Sequence, residues 1–154
     1  MVTQKSTRAV GVGRVLIAVY AVLALAATGR SVFQILEQFS EAPLAYTLSA
    51  LAAVVYIVAT VSLITRGTTS YAVAWATISF ELAGVLIVGL LTTLDPALFP
   101  DDTVWSFFGR GYGFVPLVLP VLGMVWLARA RPRASGDPAG QAAAGAPEAS
   151  DEAR

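Results

Sequence analysis

The chain contains no cysteine and no histidine. Without thiols there is no disulfide and no thiol catalysis, and the common zinc and haem sites lose their usual ligands. The one side chain whose unperturbed pKa lies near neutrality is missing as well. Lysine occurs once, and charged residues make up only 13% of the 154 positions. That is about half the share of an ordinary soluble domain. Ten basic residues balance ten acidic ones. A net charge of zero leaves no basic surface, so no nucleic-acid partner is expected. Nor is any cofactor or metal expected, and no catalytic constellation stands out.

What the chain has instead is apolar length. Hydrophobic residues reach 56% and the mean hydropathy is +0.72. A chain this short cannot hide so much apolar surface in one core, which makes it a membrane protein on first reading. A helix needs roughly 20 apolar residues to cross about 30 Å of hydrocarbon. Four runs meet or approach that length, and they predict helices at about 14–36, 43–65, 71–94 and 112–129. The expected fold is all-α: a polytopic bundle of four transmembrane helices spanning residues 14–130.

The charges between the runs set its direction. Lys5, Arg8 and Arg14 precede the first run, Arg66 lies between the second and third, and Arg129, Arg131 and Arg133 follow the fourth. The other two loops hold Glu37, Glu41, Asp95, Asp101 and Asp102 against Arg30 and Arg110. The positive-inside rule then predicts both termini in the cytoplasm, with residues 1–13 as a cytoplasmic segment of a multi-pass protein of the cell membrane. KSTR, an apolar run and ALAA together resemble a signal peptide with its cleavage site. The run is longer than a usual signal core and its helical pattern continues past ALAA, so the first helix is expected to be retained. Residues 131–154 are mostly Ala, Gly, Pro, Ser and acid, with three arginines, one glutamine and no large apolar residue. Nothing there can offset the entropy of ordering, which predicts a disordered cytoplasmic tail.

One residue breaks the apolar pattern. SYAVAWATISFELAGVLIVGLL, residues 70–91, carries Glu81 at its centre. An ionised acid at that depth costs on the order of 3 kcal/mol by insertion scales. Such residues face the bundle interior, find partners or stay protonated. Partners expected from depth are Tyr56 on the second helix, flanked by Ser49 and Thr60, and Thr77 one turn before Glu81. Arg30 lies nearer the outer surface, where it can reach inward, bind headgroups or snorkel. The functional reading makes Glu81 a proton- or cation-binding acid; the plainer one makes it a hydrogen-bonded contact between helices or subunits. Pro116 and Pro120 predict a kink in the fourth helix, since each removes a donor and bends the ladder.

The outer loop DPALFPDDTVWSFFGRGYG is the most aromatic part of the chain. Trp105, Phe107 and Phe108 are expected at the membrane interface, as an aromatic belt or as a docking surface for lipid or protein. GRGYG has neither the preceding strand nor the lysine of a phosphate loop. Small residues on the first three helices permit close packing and association with other membrane proteins or with further copies of the chain.

Helix count and a lone membrane glutamate are shared with the small multidrug resistance exporters, but their essential glutamate lies in the first helix and Glu81 in the third. Quinone reductases of the vitamin K epoxide reductase type share the helix count but need cysteines. In helix count, Ala/Val/Arg bias and acidic Pro/Ala tail, the chain resembles four-helix integral membrane proteins of actinobacteria that have no assigned function. That resemblance implies a membrane bundle and carries over no site residue. The expected function is non-enzymatic: an accessory or assembly subunit of a larger membrane complex. The alternative is a small oligomeric, proton-coupled carrier using Glu81.

Overall fold

Three long stretches become helices because no proline interrupts them after the first turn and their apolar residues recur at helical spacing. They are α1 (Gln4–Glu37), α2 (Pro43–Ile64) and α3 (Thr68–Leu94), followed by a shorter α4 (Val115–Arg129). The computed structural model describes residues 4–65 and 67–130, with side chains from residue 11 onward. The expected tail at 131–154, Arg66, and the side chains of Lys5 and Arg8 lie outside the described residues. Pro43 opens α2 in its first turn, where a missing N–H costs nothing. Thr65 turns extended after α2, and Gly67, at φ +134°, begins the reversal into α3. That φ favours glycine.

Each long helix buries one seam. On α1 it is Leu16, Tyr20, Leu23, Ala27, Ser31 and Gln34; on α2 it is Ala45, Ser49, Ala52, Tyr56, Ala59 and Leu63. On α3 it is Ala74, Ile78, Glu81, Val85, Val88 and Thr92. Steps alternate between four and three residues on α2 and α3, and nearly so on α1, the spacing of left-handed helix packing. Small residues on α2 let α1 and α3 approach closely. α1 packs on α2, α2 on α3 and α3 on α4, and a thinner contact between α4 and α1 closes the ring.

The opposite faces are apolar and uncovered. Val22, Leu25, Val54, Ile87 and Val118 are all at least half exposed. Three helices are long and apolar enough to cross a membrane. A fourth crossing exists only if Ser106–Tyr112 and α4, bent 97° from each other, form one span. α4 alone has 15 residues, about 22 Å, too short for the hydrocarbon thickness. The chain is thus all-helical among the described residues, with three to four candidate spans.

The bend corrects the expectation built on the prolines. It falls at Gly113 and Phe114, both left-handed at φ 62° and 60°. Pro116 sits in the first turn of α4, where no helical donor is needed. Only Pro120 lies inside the helix, and both rings are buried.

Candidate functional site

Glu81 sits halfway along α3 and is wholly buried. Its Oε2 accepts a hydrogen bond of 2.8 Å from the hydroxyl of Tyr20, which lies halfway along α1. Its Oε1 is buried with no hydrogen-bond partner. The Tyr20 and Tyr56 rings stand 6.3 Å apart, tilted by 52°. The Tyr56 hydroxyl accepts from Trp105 Nε1–H at 3.2 Å. The site thus joins α1, α2, α3 and the outer loop.

This arrangement changes the partners expected from depth. Tyr56 is a neighbour of Glu81 but bonds Trp105. Thr77 donates to the Val73 carbonyl one turn back, at 2.6 Å, and Thr60 does the same to Tyr56 at 2.7 Å. A short hydroxyl on a helix reaches its own preceding turn more readily than a neighbouring helix. Ser49 Oγ is buried without a hydrogen-bond partner. Arg30 does not reach inward. It donates to the Asp102 carbonyl at 2.8 Å and lies 4.0 Å from the Asp101 carboxylate.

The actual donor, Tyr20, escapes a depth count that starts the first helix near Arg14, because it then lies close to the inner surface. Tyr20 lies nine residues into the candidate span 11–37, yet it meets Glu81 at the middle of α3. The signal was the spacing Leu16, Tyr20, Leu23, Ala27, which places the tyrosine on the seam.

Trp105 is the second correction. It is 1% exposed and so does not belong to an exposed interfacial belt. Its ring lies edge-on to Phe80, centroids 6.4 Å apart. A Cβ added to Gly84, one turn from Glu81, would meet the same ring at 2.7 Å. Thr103, Val104 and Ser106 are buried beside it. Thr103 Oγ1 accepts from the Trp105 N–H at 3.0 Å, and the Thr103 N–H donates to Ser106 Oγ at 2.8 Å. These side chains satisfy a backbone that forms no regular ladder.

Phe107 and Phe108 are half-buried, at φ 48° and 61°. The left-handed region costs about 1–2 kcal/mol for each such residue. Two contacts hold them there. The Phe107 N–H donates to Thr92 Oγ1 at 2.8 Å, and the Phe108 ring and backbone close on Gly89. At the rim, Gln34 Nε2 donates to Asp101 Oδ2 at 3.1 Å beside Arg30. Replacing Thr92 with valine keeps the shape and removes the acceptor for Phe107. It is expected to cost about 1–2 kcal/mol of stability, read by denaturant unfolding in micelles. An unchanged midpoint would show that this bond does not hold the segment.

No family model matches the chain, and no curated protein or solved structure is detectably similar to it.

Chemically, the site is a buried carboxyl group with one bonded and one open oxygen, walled by two tyrosines and capped by an indole. It can accept one proton or one hydrogen-bond donor. Asp95, Asp101 and Asp102 do not converge: among the described residues, no three carboxylates are grouped to hold a metal ion.

Proposed function

We propose that the protein is a non-enzymatic, multi-pass protein of the cell membrane, with both termini in the cytoplasm, acting as an accessory or assembly subunit of a larger membrane complex. The observation that carries this reading is the division of its surfaces. The polar groups at mid-depth are turned on one another inside the chain, while every long helix presents an uncovered apolar face. Those faces suit lipid and other membrane helices, where close packing is the main attraction. Glu81 then serves as an internal clamp between α1 and α3. Arg14 and Arg129 at one end, against Glu41, Asp95, Asp101 and Asp102 at the other, support the orientation.

A second reading, a small proton-coupled carrier, is favoured by one observation: Glu81 Oε1 is open at the centre of the bundle. Crosslinking in intact membranes, followed by tagged purification and mass spectrometry, separates the two. A stoichiometric partner is the expected result. Recovery of the chain alone, or with copies of itself, would sink the accessory reading, and proton uptake by Glu81→Gln against wild type would then decide the second.

A further inference from the structure

The segment over Glu81 is an irregular stretch of backbone set inside a helical bundle. The Trp105 ring reaches Gly84, ten residues in from the outer end of α3, while the backbone at Phe108 lies on Gly89, five residues in, about 8 Å below that end. Non-helical backbone at membrane depth is tolerated where protein buries it or where it lines a water-filled cavity. Here protein buries it, yet several features oppose a permanent seat. Two phenylalanines are held left-handed, against their preference. The Trp105–Tyr56 hydrogen bond is long at 3.2 Å. The rim is closed by few polar contacts, from Arg30 and Gln34 to Asp101 and Asp102. One turn along α3 from Gly84, the Oε1 of Glu81 is buried with no hydrogen-bond partner, an arrangement that costs free energy and that a donor reaching it would relieve.

We propose that residues 103–109 are a movable plug, latched at the rim by Asp101, which lifts from the bundle and opens a wet route from the outer end to Glu81. Opposed contributions hold it. Burial of the Trp105 indole and the latch favour closure; the left-handed phenylalanines and the unpartnered carboxyl oxygen favour opening. A seat held by such opposed contributions responds to small changes at the rim, which shift the population between the closed and the lifted arrangement. This goes beyond both functional readings and needs neither, because the motion is read by chemistry rather than by transport or by a partner.

The absence of cysteine makes the test direct. Ser49 is wholly buried in the outer half of α2 and its hydroxyl makes no hydrogen bond, so Ser49→Cys removes no bond. Ala59→Cys, equally buried in the inner half of α2, is the control. The full chain is placed in nanodiscs and labelled with a charged maleimide that does not enter lipid. Ser49→Cys is expected to label slowly and Ala59→Cys far more slowly. Adding Asp101→Ala, which removes the latch, should speed Ser49→Cys labelling about tenfold, the effect of losing one charged hydrogen bond. Adding Phe107→Asn, which tolerates the left-handed region, should slow it several-fold. The proposal is overturned if Ser49→Cys never labels, if its rate ignores either the Asp101 or the Phe107 variant, or if Ala59→Cys labels in parallel, since that reports unfolding of the whole bundle.

Discussion

Alanine at Gly89 is expected to destabilise the protein by about 2–3 kcal/mol, among the largest losses for the addition of one methyl group. The new Cβ would stand 2.6 Å from Phe108 Cδ1 and 2.7 Å from the Phe108 backbone nitrogen. A flexible side chain can move aside by itself, but a backbone atom held in a left-handed turn moves only if the whole segment lifts from α3. Gly84→Ala meets the Trp105 ring at 2.7 to 3.0 Å and is expected to cost a similar amount, because that ring is packed on all sides. Gly29→Ala is the contrast. Nothing lies within 4 Å of its Cβ, and the change should be neutral or stabilising by up to about 1 kcal/mol through helix propensity. Unfolding of the three variants in mixed micelles checks the order. Equal stabilities for Gly89→Ala and Gly29→Ala would contradict the seating of the outer segment on α3.

That contrast shows how far the sequence is legible. Three of the four expected spans, the proline-started α2 and the inward turn of Glu81 follow from spacing and length alone. An apolar run cannot satisfy its backbone in lipid except as a helix, and a carboxyl group at mid-length has to turn inward. The outer loop is different. Aromatic content predicts an affinity for the interface, yet Trp105 goes into the bundle because Gly84 leaves a ring-sized gap and Tyr56 offers an acceptor. Both lie far from Trp105 in the chain, and no local pattern links them. Arg30 misleads for the same reason. Its depth permits a reach toward Glu81, but the loop folds back and supplies Asp101 and the Asp102 carbonyl nearer by. Tyr20 was missed by a count of depth alone, although its seam spacing, Leu16, Tyr20, Leu23 and Ala27, marks it as inward-facing.

The second large effect concerns Tyr20, and it separates structure from function at the site. Tyr20→Phe removes the hydroxyl that donates to Glu81 and leaves both carboxyl oxygens buried without a donor. The expected loss is about 3 kcal/mol, the upper range for leaving a buried polar group without its partner. Glu81→Leu removes the need for a donor, and replacing buried polar groups with apolar ones of similar size is often neutral or stabilising. The double variant should therefore be more stable than Tyr20→Phe alone, by about 2 kcal/mol, a non-additive result that neighbouring groups show and distant ones do not. A double variant as unstable as the sum of the two single variants would mean that the residues are not coupled. With the expected cycle in hand, the double variant becomes a folded protein without its buried acid. If it still recovers whatever partner wild type recovers by crosslinking, Glu81 is a clamp that an apolar pair can replace. If the fold survives and the activity is lost, the carboxyl group itself acts, and the open Oε1 is where it does so.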